Sequence, residues 1–378
     1  MIDPVRQEVI ALAHTLVVKV GTNVLTDDHG ALNPERLAQL AEQIARLVKT
    51  GRRVVLVSSG AIGAGVGLLG LGRRPTDLRR LQAAAAVGQS ALMNAYADCF
   101  RRWDCPVAQV LLTASDFDDR TRYLNVRNTL HALFEWGCLP IINENDAVSV
   151  AEIKFGDNDQ LAAMVTNLLQ APLLVMLTSV DGLYTGDPRV DPKASLLPTV
   201  PEITPDIAGL AGSSRSALGS GGMLSKLRAA RLVTLAGECV LIANGQSPTI
   251  LTNLLEAKPV GTLFLPQGGL LPARKRWIGL TAQCRGRLIV DDGARRAVEK
   301  NGRSLLPIGV VDVVGDFETG DVVALVDQAG QEFARGLSNY DAVAVRRIAG
   351  RRTEEAAALL GETAYEEVIH RDNLALVL

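Results

Sequence analysis

The sequence predicts an α/β fold on a mainly parallel sheet, followed by a small, mostly-β barrel-like module. Between residues 16 and 265, short β-branched runs alternate with longer amphipathic segments, the rhythm of βαβ units. Past Pro266 and Gly268-Gly269 that rhythm gives way to shorter runs broken by Gly and Asp turns. Dense polar clusters also recur where the apolar runs end, at the carboxyl edge where open parallel sheets bind ligands.

The strands are read at Leu16 to Val20, Arg53 to Val57, Val107 to Leu112, Leu139 to Ile142, Leu173 to Leu177 and Cys239 to Ala243. Between them lie helices. Asn33 caps the first, Pro34 opens it, and Leu37, Leu40, Ala41, Ile44, Leu47 and Val48 form its apolar stripe before Gly51. Thr76 to Arg102, Arg122 to Trp136, Asp157 to Leu169 and Met223 to Ala236 read the same way. In the second part, Arg287 to Val290, Val310 to Val314, Val322 to Val326 and Ala342 to Ile348 read as strands. The organisation is then a first domain over 1–270, a linker over 271–283 and a second domain over 284–378.

The 378 residues suffice for two full cores, and 48% hydrophobic against 21% charged residues is globular composition. A formal net charge of −2 argues against a general nucleic-acid binder. Cys99, Cys105, Cys138, Cys239 and Cys284 form no CxxC pair and have no histidine at metal-ligand spacing, so free thiols are expected and no protein-held metal. No basic leader or membrane-length apolar run occurs, which places the chain in the cytoplasm.

Four clusters could carry chemistry. Asn143, Glu144, Asn145, Asp146, Asp157, Asn158 and Asp159 crowd one span between a strand and a helix. A capping box from Asp157 to Gln160 accounts for Asp157 but not for Asn143, Asp146 and Asp159. Lys19, at the end of the first strand, is costly to bury unless an anion meets it. Ser58-Ser59-Gly60-Ala61-Ile62 is a strand running into a glycine turn that opens a helix, where backbone N–H groups can approach an anion. The GxGxxG string at Gly65, Gly67 and Gly70 lies past that turn, and helix packing explains it better than dinucleotide binding. Gly219-Ser220-Gly221-Gly222-Met223-Leu224-Ser225-Lys226 is a glycine-rich loop with a lysine just inside a helix, a phosphate cradle that is not a Walker A loop. Thr178 and Ser179 follow a further strand and could wall a nucleotide pocket.

Taken in order, these clusters resemble the amino acid kinase family over nearly the whole chain. Ser58 to Ile62, Asn143 to Asp146 and Phe155 to Asp159 resemble most the members that phosphorylate glutamate. The tail from about Cys284 to Ile348 is similar to a PUA domain. The resemblance implies a three-layer αβα sandwich with a mainly parallel central sheet, ATP and nucleotide-borne Mg2+ as cofactors, and L-glutamate as acceptor. It also implies proline as inhibitor, a homo-oligomer (dimer or tetramer), and a glutamyl phosphate reductase as functional partner. Residue by residue it implies that Lys19, Lys226 and Asp159 are catalytic, Asp159 orienting the lysines, and that Ser59, Asp146 and Asn158 hold glutamate. Lys19, Thr178, Ser179, Ser220, Gly221, Gly222, Met223, Leu224, Ser225 and Lys226 would line the ATP site. The family often carries Asp at the position of Ser179 and Thr at those of Ser220 and Ser225.

Other readings are weaker. Kinases of acetylglutamate, aspartate, carbamate or a nucleotide fit the β-rich tail and the Asn143 to Asp159 string less well. An RNA-binding protein built on the tail would use Arg346-Arg347 and Arg351-Arg352, but acidic residues balance them. His370-Arg371-Asp372-Asn373 lacks the rest of a protein-kinase signature.

Overall fold

The computed structural model describes residues 3–27, 31–149, 158–211, 222–269, 271–360 and 365–377. The chain divides into two compact units, Met1–Leu270 and Leu271–Leu378. Among the described residues no helix is long and apolar enough to cross a membrane.

In the first unit the described strands are β1 (Thr15–Val20), β2 (Arg53–Ser58), β3 (Val107–Leu112), β4 (Leu139–Glu144), β5 (Leu173–Thr178), β6 (Thr199–Val200), β7 (Cys239–Asn244) and β8 (Thr262–Phe264). They form one sheet in the order β3-β4-β2-β1-β5-β7-β8-β6. Every pairing is parallel except β7 with β8. The six strands legible in the sequence form its parallel part. The short β6 and β8 were not legible, because two or three residues carry no periodicity.

β1 is buried along its whole length, as a central strand covered on both faces must be. Leu16, Val18 and Val20 share one core with Leu173, Val175 and Leu177 and with Leu37, Leu40, Ala41, Ile44 and Leu47 of helix Pro34–Lys49. Val17 and Lys19, at alternate positions, point to the opposite face, where helix Asn158–Leu169 lies against β1. Helix, sheet and helix make three layers.

Helix Pro34–Lys49 starts as its sequence demands: the Asn33 side-chain oxygen accepts from the N–H groups of Glu35 and Arg36 at 3.0 and 3.1 Å, with proline first. Helix Ala61–Leu68 is entered through Gly60 at φ +110°, a conformation open to glycine. This helix packs against helix Leu78–Arg101 backbone to backbone. A Cβ on Gly65 would lie 1.8 Å from the Ala84 carbonyl oxygen, and one on Gly88 1.8 Å from that of Ala61. Packing therefore accounts for Gly65, whereas Gly67 faces open space.

In the second unit β9 (Gly286–Val290), β10 (Val310–Gly315), β11 (Val322–Val326), β12 (Glu332–Leu337) and β13 (Leu374–Leu376) form a sheet in the order β10-β9-β11-β12-β13. Among the described strands only β9 and β11 pair in parallel. Two expectations fail here. Ala342–Ile348 is a helix, not a strand: Asp341 caps it by accepting from the Ala344 N–H, and Ala342, Val345 and Ile348 are buried at helical spacing. Cap and spacing outweigh the β propensity of the valines. Residues 271–283 are no open linker either, since Ala273–Arg276 and Trp277–Thr281 form helical turns that bury Trp277 and Ile278 and contact β12 and β13.

The two glycines give a direct test of this packing. Gly65→Ala is expected to lower stability by about 2 kcal/mol or more through overpacking. Gly67→Ala should be neutral or stabilising by up to about 1 kcal/mol, because alanine favours helix. Thermal melts of the two variants read the difference.

Candidate active site

The carboxyl ends of β1, β2, β4 and β5 converge on one edge of the first unit, with the starts of helices Asn158–Leu169 and Met223–Leu235 beside them. β1 delivers Lys19, and the two helices deliver Asp159 and Lys226. The Lys19 Nζ sits 2.6 Å from Asp159 Oδ1, and the Lys226 Nζ 2.9 Å from Asp159 Oδ2. The Ser225 hydroxyl donates to Oδ2 at 3.1 Å. Asp159 is fully buried, with Lys19 and Lys226 only 5% and 6% exposed.

Burial alone would push the Asp159 carboxyl up, but the charges of Lys19 and Lys226 overcome it and hold the group well below the usual carboxylate range. The Asp159 carboxyl is therefore ionised and serves as counter-charge to both lysines, at the edge where the parallel strands end. The chemistry of such a site suits an anionic ligand.

Next to the triad lies a web of amides. The Asn158 Nδ2 donates to the Ser58 carbonyl at 3.1 Å, the Ser59 hydroxyl at 2.9 Å and Asn143 Oδ1 at 2.9 Å. Asn143 Oδ1 also accepts from the Glu144 N–H at 2.9 Å. Glu144 accepts from the Ser149 hydroxyl at 2.6 Å. Asp146 follows in the turn after β4, half-buried, its N–H donating to the Glu144 carbonyl at 2.9 Å.

Lys19, Ser59, Asn158, Asp159, Ser225 and Lys226 are thus brought together, with Asp146 at the end of the neighbouring strand. Thr178 closes β5, its carbonyl accepting from the Gly245 N–H at 2.8 Å, and Ser179 is exposed just beyond. Gly222, Met223 and Leu224 lead into Lys226, Leu224 being exposed. Ser220 and Gly221, and the capping box at Asp157, lie outside the described residues. Among the described residues no group of three His, Cys, Asp or Glu side chains is placed to hold a metal. His370 only caps a short exposed turn.

Sequence reasoning missed Gln89 and Tyr96. Gln89 Oε1 accepts from Asn143 Nδ2 at 2.9 Å, and the Tyr96 hydroxyl lies 2.8 Å from that of Ser58. Their one signal is two polar groups a heptad apart on the buried face of an alanine-rich helix.

Residues 14–244 match the amino acid kinase family and residues 286–360 the PUA domain. The fold and the matched span make the chain a member of the amino acid kinase family, with a mostly-β PUA domain after the kinase domain. It is 48% identical over 368 residues to the glutamate 5-kinase of Moorella thermoacetica, covering 97% of each chain. It is 46% identical over 372 residues to that of Citrifermentans bemidjiense, covering 98% of this chain and all of the other. For the enzyme of Cupriavidus taiwanensis the identity is 47% over 371 residues, with 98% and 100% covered. Within the amino acid kinases the chain belongs to the glutamate 5-kinases.

The charge balance at Asp159 has a pH signature. Its folded pKa lies below the unfolded value of about 3.9, so its contribution to stability is complete above that value and is lost as pH falls towards the folded pKa. Below about pH 4, wild-type stability in urea should fall with a slope up to about 1.4 kcal/mol per pH unit steeper than that of Asp159→Asn, which cannot titrate there. At pH 7 that variant, with two buried ammonium groups left unpaired, should be less stable by about 3–5 kcal/mol.

Proposed function

We propose that this kinase transfers the γ-phosphoryl group of ATP to the side-chain carboxylate of L-glutamate, giving L-glutamyl 5-phosphate and ADP, the first step of proline biosynthesis. The buried Lys19–Asp159–Lys226 triad carries this reading, and the full-length similarity to glutamate 5-kinases supports it. A glutamate carboxyl has a reference pKa of about 4.3 and is ionised at neutral pH, so no general base is required. One carboxylate oxygen attacks the γ-phosphorus, the bond from that phosphorus to the ADP oxygen breaks, and ADP leaves without a proton transfer. The barrier is the approach of one anion to another. Lys19 and Lys226 answer it with two positive charges whose positions Asp159 fixes.

On the acceptor side, Ser59, Asp146 and Asn158 hold glutamate, with the Asp146 carboxylate facing its α-ammonium. On the nucleotide side, Thr178, Ser179 and the loop from Ser220 to Lys226 line the phosphates and base. Magnesium enters with the nucleotide as part of the substrate. Proline competes at or beside the glutamate site, the protein works as a homo-oligomer, and a glutamyl phosphate reductase consumes the labile acyl phosphate.

Incubation with ATP, glutamate and hydroxylamine should yield γ-glutamyl hydroxamate only when both substrates are present; turnover independent of glutamate would overturn the proposal. Lys19→Met and Lys226→Met are each expected to lower kcat about 100-fold or more with the glutamate KM little changed. Millimolar proline should raise the apparent glutamate KM without lowering kcat, and an unchanged KM removes the competitive assignment.

A further inference from the structure

Three side chains on helix Leu78–Arg101 recur every seventh residue and so share one face, and each reaches a different wall of the amide web. The Gln82 Nε2 donates to the Ser149 carbonyl at 3.1 Å, beyond β4. Gln89 accepts from Asn143, at the end of β4. Tyr96 meets Ser58, at the end of β2, and burial pushes its phenol pKa up, so it stays a neutral hydroxyl. None of the three belongs to the elements that carry the acceptor contacts.

The direction of the amide chain follows from two backbone groups. The Glu144 N–H can only donate, so the atom of Asn143 that faces it is Oδ1, and the Asn143 Nδ2 points at Gln89. Gln89 must then present its oxygen. The Ser58 carbonyl can only accept, so the Asn158 Nδ2 points at it. The Asn158 Oδ1 is thereby turned away, buried and without a hydrogen-bond partner among the described residues. A buried acceptor in that position is suited to a donor from a bound ligand.

We infer that Gln89 is a positioning residue for the acceptor: by fixing the Asn143 amide it completes, together with the Ser58 carbonyl, the set of contacts that holds Asn158 with Oδ1 facing the substrate, and thus tunes glutamate affinity without touching glutamate. This rests on the proposed glutamate kinase reaction. Gln89, 8% exposed, has a length that methionine matches, but only its oxygen does the work. Without that acceptor, Asn143 Nδ2 is an unpaired buried donor and its amide is held by the Glu144 N–H alone, so the contact of its Oδ1 with Asn158 loses its fixed geometry.

The test compares wild type, Gln89→Met and Gln89→Glu in the hydroxamate assay, titrating glutamate and ATP separately. Glutamate-dependent product from the wild type secures the underlying reaction; its absence sinks that reaction and not specifically the role of Gln89. Given that activity, Gln89→Met should raise the glutamate KM roughly tenfold, with the ATP KM and kcat within about twofold. Gln89→Glu, whose carboxylate can only accept, should recover the wild-type KM to within about threefold. In an Asn158→Ala background, Gln89→Met should add less than twofold, because the two act through one contact. Equal rises in both KM values, failure of the Glu variant to rescue, or additivity with Asn158→Ala would each overturn the assignment. If the Met variant does not fold, Gln89→Glu decides: a glutamate KM near wild type supports the role, and a tenfold rise refutes it.

Discussion

One carboxylate governs this structure. Asp159 is the buried counter-charge of two lysines that come from opposite sides of the site, one from a sheet strand and one from a helix. Neither ammonium group could be removed from water at tolerable cost without it. The requirement explains why β1 places a lysine on the face towards helix Asn158–Leu169, and why Met223–Leu235 packs against the same helix. A chain that needed only stability could fill these positions with apolar side chains. Keeping a net positive charge there makes sense when an anion is to be received.

The two halves of the site differ in kind. Around the triad the interactions are ionic and do not discriminate among anions. Around Asn143 and Asn158 they are neutral hydrogen bonds with fixed direction, a type of contact that rejects ligands lacking the matching group. In the proposed reaction, affinity for phosphate and selection among acceptors fall to separate side chains that meet at Asn158 and Asp159.

Much of this was readable beforehand, for physical reasons. Buried parallel strands such as Leu173 to Leu177 must be almost wholly apolar, and polar residues at their ends stand out against them. Lys19 was conspicuous because a charge inside such a run needs an explanation. Ala342–Ile348 was misread because valine favours strands while the competing signal, an aspartate cap with apolar residues three apart, is subtle. Phe264 and its neighbours formed a strand too short to announce itself. Gln89 was invisible for another reason: a single amide in a long alanine-rich helix has meaning only once tertiary structure shows what it faces.

Asn158 and Asp159 are consecutive, so in the proposed reaction the contact to the amino acid and the counter-charge of the two lysines share a peptide unit. Any displacement of that peptide unit would move both together, which would keep the donor and acceptor of the proposed reaction in mutual alignment. The same coupling would constrain redesign: under the proposed reaction a new acceptor is accommodated by remodelling the neighbouring walls and not by shifting these two residues, because transfer geometry would be lost with them.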